Sequence, residues 1–240
     1  MPASIGKLKF DQTGERFFET GVSHGVLFVY DESTTAAGDW KPGVAWNGLT
    51  SVTEAPEGAE ANAIYADNIK YLNLISAEDY KGTIEAYTYP EEWGACDGSA
   101  PLNSSFPGIT VGQQKRTKFC LVYITKVGND ESQDLGEKIH IVYNCIAAPS
   151  EKNFETINDS PEAITFSWEF STTPMAINAV EGLKPTAIVT IDSTKFTTTE
   201  AQAKYTAIKN KLYGTDDASG NPATDPELLT PDAIIELLNA

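Results

Sequence analysis

GQQKRTKFCLVYITKVGND (residues 112–130), GEKIHIVYNCIAAPSEKNFETINDSPE (136–162) and AITFSWEFS (163–171) lie almost end to end in this chain. They read as three long strands joined by polar, acidic connections. Ile164, Phe166, Trp168 and Phe170 alternate with Thr165, Ser167, Glu169 and Ser171; a period of two puts apolar side chains on one face and polar ones on the other. Ile139, Ile141, Tyr143 and Cys145 alternate in the same way with Lys138, His140 and Asn144, which predicts one buried and one wet face there as well. Long antiparallel strands that carry no reactive constellation point to a building block rather than a catalyst.

The same pattern extends outward in both directions. GVLFVY (25–30) reads as a strand, 43–53 as a second one anchored by Trp46, 63–75 as a third with Tyr65, Ile69 and Tyr71 on one face, and 81–89 as a fourth. Between them EAPEGAEAN (54–62), with Pro56 and Gly58, reads as a loop. YPEEWGAC (89–96) suits a single helical turn with Pro90 early and Glu91 and Glu92 at its N-terminal end; 97–112 reads as loop and 187–191 as the last strand. Ala201, Tyr205, Ile208 and Leu212 share one face of a helix over 199–213, with Thr199 and Gln202 as a capping box and Gly214 closing it. Thr230 and Pro231 restart a short helix with Ile234, Leu237 and Leu238 on one side. It is too short to stand alone and must dock on its own domain or on a neighbouring subunit. The expected fold is mainly β: an antiparallel β-sandwich or half-barrel with one packed α-helix. Its expected parts are an N-terminal arm (1–20), a β domain (21–213) that includes the helix, and a C-terminal arm with the short helix (214–240).

The composition narrows the chemistry. The formal charge of −17 argues against nucleic-acid binding by counterion release, since the densest basic cluster is only Lys115, Arg116 and Lys118. No stretch approaches the ~20 apolar residues of a membrane span, and the first residues lack the apolar core of a signal peptide, so the protein is expected in a cytosol. Cys96, Cys120 and Cys145 are too few for a disulfide scaffold. If 118–127 pairs with 138–147 in the simplest register, Cys120 falls opposite Cys145; two buried thiols are the favoured reading over a bridge. His24 and His140 are the histidines, and His140, on a strand beside core positions, reads as a packed or surface residue rather than as a general base. No nucleophile elbow, zinc motif or phosphate loop occurs, and Asp216 to Asp225 lacks the ligand order of a calcium loop. No catalytic, cofactor-binding or metal-binding residue is assigned, and no cofactor. Among the tryptophans Trp168 reads as core, while Trp40, between Asp39 and Lys41, reads as exposed and more suited to an interface than to a ligand.

With YADNIKYLNLIS (Tyr65 to Ser76) upstream, the strand-rich stretch resembles the major tail protein of long-tailed, non-contractile bacteriophages and prophages of Gram-positive bacteria. The resemblance covers 43–193 and rests on segment order rather than on a chemical signature. It implies a tail tube fold whose subunits form hexameric rings, with four strands from each joining into one barrel around a lumen and the rings stacking into a tube. It implies partners too: further copies of the chain, a tape measure protein, a tail terminator and a distal tail protein. Genomic DNA would pass through the lumen without specific binding, the acidic charge repelling its phosphates, and no membrane partner is implied. The place would be the virion tail, with assembly in the host cytoplasm. Segments 1–20, 54–62 and 214–240 are the expected ring-to-ring contacts, and removing the first or the last is expected to leave a folded subunit unable to make tubes. The family sometimes carries a further immunoglobulin-like domain, for which ~50 residues after the last strand are too few. The alternative is a β-sandwich module that binds carbohydrate or protein, which would need exposed aromatics near a groove.

Overall fold

The computed structural model describes residues 7–33, 40–76, 78–103, 105–157, 159, 163–217 and 222–240. Five strands come first: β1 (Phe18–Val29), β2 (Val44–Trp46), β3 (Leu49–Gly58), β4 (Ala61–Ala66) and β5 (Ile69–Ile75). After β6 (Glu78–Ala86), a tight turn at Glu91–Trp93 runs into the short helix α1 (Gly94–Asp97). The minor strands β7 (Ala100–Pro101) and β8 (Thr110–Val111) precede β9 (Phe119–Gly128), β10 (Gly136–Ala147), β11 (Phe166–Thr172) and β12 (Ile188–Asp192). The helices α2 (Thr199–Tyr213) and α3 (Pro231–Asn239) follow. The architecture is mainly antiparallel β, as the strand patterning predicts. Among the described residues one sheet runs in the order β2-β1-β9-β10-β11-β6-β3, with β12 also pairing β10.

That sheet folds over on itself, and β1, β9 and β10 are buried on both faces. On one side Leu27, Phe119, Leu121, Tyr123 and Val142 meet Ile84, Trp168 and Phe170 from β6 and β11. On the other, Phe28, Val122, Ile124, Ile139, Ile141 and Tyr143 meet Ile208 and Leu212 of α2 and Ile234 of α3. The first core holds an aromatic knot. Trp93 sits 4.7 Å from Trp46, 4.9 Å from Phe119 and 5.3 Å from Trp168, each such pair adding about 0.5–1.5 kcal/mol beyond its burial. Trp46 Nε1 donates to Thr88 O at 2.9 Å.

Double-sided burial corrects the reading of β10. The side that Lys138 and His140 were expected to keep wet is the floor of the first core further along the strand, where Val142 is buried. A bulge between Val142 and Cys145, with Asn144 at φ 48°, then turns Cys145 to that same side. Cys120 therefore belongs to the helix-side core and Cys145 to the other. Cys145 pairs with Phe119 in the ladder, and all three cysteines are free and buried. Burial raises their thiol pKa values, that of Cys96 to about 12.

Other boundaries shift for local reasons. The expected loop 54–62 is mostly strand, and Pro56 is tolerated because β3 is an edge. The expected strand 63–75 is a hairpin, β4 with β5, because Asp67 (φ 50°) and Asn68 (φ 60°) both take the left-handed conformation of a two-residue hairpin turn. The expected strand 43–53 is interrupted between β2 and β3 by Gly48 at φ 77°. Helix α2 has the predicted span, but Thr198, not Thr199, is its cap, accepting from Ala201 N at 3.1 Å. The expected N-terminal arm is shorter, because 18–20 already belong to β1; its residues 1–6 lie outside the described residues.

The C-terminal part is no free arm. Leu228, Leu229 and Ile234 belong to the helix-side core, Tyr143 Oη donates to Leu229 O at 2.8 Å, and the Asp232 carboxylate accepts from the backbone of Asn178 and Ala179 at 2.8 and 2.9 Å. The apolar face of α3 docks on its own domain because α2 leaves part of the β9–β10 surface uncovered. Leu229→Ala and Ile234→Ala are each expected to cost about 2–4 kcal/mol in urea unfolding. Deletion of 222–240 is expected to abolish cooperative unfolding, contrary to the expectation for a dispensable arm. Mass and thiol titration are expected to give three free thiols that react only on unfolding.

Candidate functional site

The most unusual feature is the β4–β5 ribbon. Every residue of β5 is exposed, yet Ile69, Tyr71, Leu74 and Ile75 are 64%, 68%, 55% and 69% exposed, and Tyr65 on β4 is 70%. The ladder places Ile64 opposite Leu72 and Asn62 opposite Leu74, while Ala61 opposite Ile75 lies on the reverse face. Apolar side chains thus occupy both sides of a two-stranded ribbon that has no sheet beneath it. Such a ribbon is marginal alone in water, and a contiguous exposed apolar surface marks an interaction site. The ribbon is the outer continuation of β3 and β6, bent where Gly58 (φ 86°) and Ala59 (φ 54°) both go left-handed.

Exposed apolar side chains recur in other segments, among them Leu8, Phe10 and Phe17 before β1, Leu102, Phe106 and Ile109 between β7 and β8, and Phe154 and Ile157 between β10 and β11. Segment 7–17 is tied down at its base. Asp130 accepts from Gly14 N at 3.1 Å and Arg16 N at 3.3 Å, and Asn129 Nδ2 donates to Gly14 O at 2.8 Å. Leu8 and Phe10 beyond it remain exposed.

Between the ribbon's root and the start of β1 lies a polar cluster that sequence reading missed. His140 stacks on Tyr123 with ring centroids 4.7 Å apart. Thr125 Oγ1 donates to Glu19 Oε1 at 2.6 Å and pairs with His140 Nε2 at 2.9 Å; since the hydroxyl proton goes to Glu19, His140 carries its proton on Nε2. Its Nδ1 faces Glu54 Oε1 at 3.7 Å, and Glu54 also accepts from the Tyr123 hydroxyl. Lys138 binds the other oxygen of Glu19. One imidazole therefore sits between a carboxylate on β1 and a carboxylate on β3. Of the two readings of His140, packed or at the surface, the structure has it packed. Its two acidic neighbours come from strands ~86 and ~120 residues away along the chain, a juxtaposition no local pattern encodes.

Burial lowers the His140 pKa, and the charges of Glu54 and Glu19 only partly oppose this. Burial alone would raise the Glu19 pKa, but hydrogen bonds from Lys138 and Thr125 outweigh it and hold the carboxyl below its usual range. The Tyr123 hydroxyl is pushed up by burial and by Glu54.

The other residues weighed in sequence resolve simply. Trp46, Trp93 and Trp168 are core. Trp40 is half-buried rather than exposed, its ring 5.3 Å from Tyr30 in an edge contact, so the tryptophans form no open platform. His24 lies on β1 at φ 52°, its Nδ1 3.0 Å from Ser23 Oγ. Among the described residues no group of three or more His, Cys, Asp or Glu side chains is arranged to hold a metal, and no helix is long and apolar enough to cross a membrane. Residues 218–221 of the acidic stretch 216–225 lie outside the described residues. An open groove of about 600 Å³ near Phe17, Phe18, Glu19 and Lys138 borders the cluster, and Glu19 and Lys138 there are already paired with each other. No protein-family model matches the chain, and no curated protein matches it in sequence.

Both shifts in the cluster run the same way. A lowered His140 pKa and a lowered Glu19 pKa each contribute stability that is present above the unfolded-state value and lost as pH falls through the folded one. Melting temperature is therefore expected to fall as pH drops below about 6.5, the ordinary histidine value. His140→Gln is expected to flatten the upper part of that decline and Glu19→Gln the part below about pH 4.5, as scanning calorimetry from about pH 3 to about pH 8 would read.

Proposed function

We propose that this chain is a structural subunit that assembles with copies of itself, forming hexameric rings that stack into the tail tube of a long-tailed, non-contractile bacteriophage. The observation that carries the reading is the β4–β5 ribbon, a projecting hairpin with apolar side chains on both faces. A monomer has no use for such an element. In an assembly it is covered from two sides, by its own ring and by the next. The other exposed apolar segments serve the same purpose at further contacts. Edges of long strands invite pairing with other chains, and head-to-tail contacts that close in one direction form rings while those in another extend as filaments.

In this reading the partners are other copies of the chain, with a tape measure protein, a tail terminator and a distal tail protein at defined points of the tail. DNA passes through a lumen that the acidic charge keeps unattractive to phosphate. The protein works in the virion after assembly in the host cytoplasm. The support from the fold is compatibility: an antiparallel sandwich with one edge strand running on into a protruding ribbon. A carbohydrate-binding β-sandwich is the competing reading; it calls for an exposed aromatic platform, and the tryptophans are engaged in packing.

Negative-stain microscopy over a concentration series, with mass by light scattering, tests this. Rings or hollow tubes with sixfold end views are the expected outcome; a monomer at every concentration would favour the binding module. Substituting Ile69, Tyr71 and Ile75 together by serine is expected to change unfolding free energy by no more than about 0.5 kcal/mol, since all three are exposed, while abolishing rings and tubes.

A further inference from the structure

Charge is unevenly met around the root of the ribbon. The β3–β6 ladder sets Glu57 opposite Asp79 and Gly58 opposite Glu78, so like charges face each other directly, an arrangement that destabilises a strand pair. Lys81 answers two of them, with Nζ 2.7 Å from Glu57 and 3.6 Å from Asp79. Glu60 and Glu78, both exposed, have no ion-pair partner among the described residues. The opposite imbalance occurs in segment 7–10, Lys-Leu-Lys-Phe. It carries two lysines without an ion-pair partner among the described residues, and in extended form they occupy one side while Leu8 and Phe10, 74% and 77% exposed, occupy the other. This is the alternation of a strand with no strand beside it. The ribbon supplies what it lacks: outer edges of β4 and β5 that are unpaired among the described residues, an apolar surface, and an acidic root.

Resting on the self-assembly reading, we propose that residues 7–10 of one copy add as a strand to the β4–β5 ribbon of a second copy. Lys7 and Lys9 meet Glu60 and Glu78, and Leu8 and Phe10 cover apolar side chains of the ribbon. Main-chain pairing supplies affinity and the alternating side chains supply register. Geometry also says which copies meet. The His140 imidazole lies 3.3 Å from Glu19 at the start of β1 and 3.7 Å from Glu54 near the ribbon's root. Segment 7–17 and the ribbon therefore leave the same end of the domain. Copies standing side by side in one orientation bring the segment of one to the ribbon of the next, whereas head-to-tail stacking does not. The contact is one within a ring.

Charge reversal tests the pairing, read as the concentration dependence of mass by light scattering at low and high salt. All four positions are exposed, and circular dichroism checks that each variant folds. The variants K7E/K9E and E60K/E78K are each expected to weaken association about tenfold, and the quadruple variant is expected to recover the unmodified level. High salt should weaken the unmodified protein and abolish the difference between variants. Association that is unmoved by either reversal, or that the quadruple variant fails to restore, overturns the strand addition and leaves self-assembly standing. An unmodified protein that stays monomeric at every concentration overturns both.

Discussion

Burial of β1, β9 and β10 on both faces is the constraint on which the rest of the structure depends. A sheet apolar on one side needs one cover; this one needs two, and the chain supplies them differently. Its own far half, β11, β6 and β3, folds back to cover one face through the tryptophan knot. Helices α2 and α3 cover the other. Because both covers are required, the C-terminal helix is a part of the core, and strand β3 is carried to the outer edge of the folded-over sheet. From there its continuation can project only away from the domain.

The polar cluster at Glu19, His140 and Glu54 follows from the same folding-over. Where the two halves of the sheet meet near their open end, full apolar contact gives way to side chains that satisfy one another. Tyr123 and His140 stack, Thr125 bridges the imidazole to Glu19, and Glu54 receives the tyrosine hydroxyl. The arrangement ties the start of β1 to the root of the ribbon. The two elements that carry exposed apolar residues at this end are thus held in a defined relation by side chains of which Tyr123 and His140 are buried.

Double-sided burial also explains where pattern reading loses its grip. On β11 the alternation is faithful, because Trp168 and Phe170 face the core and Glu169 faces out. On β10 it misleads, because the side that carries Lys138 and His140 becomes the floor of a core further along the strand at Val142, and because the bulge at Asn144 swaps the face of Cys145. At 54–62, glycine, proline and glutamates read as loop although most of the backbone there continues as strand. The Asp67-Asn68 pair, a hairpin signal between two apolar runs, was present in the sequence and would have revealed the ribbon. The neighbours of His140 were not legible, since their pairing depends on how β1, β3 and β10 come together.

By itself the sequence determined the fold class, the span of α2, a helical turn within 89–96, the capped start of α3 and the order of the main strands. These rest on side chains within one turn or one ladder step of each other, where period and capping chemistry act locally. Tertiary structure alone decided that the sheet folds over to make two cores, that 222–240 belongs to one of them, that Cys120 and Cys145 lie on opposite sides of it, and that β4 and β5 stand apart with both faces bare. Those outcomes turn on which distant surfaces meet. Burying apolar area is non-directional, so a pattern of apolar residues states that a face must be covered without stating by what.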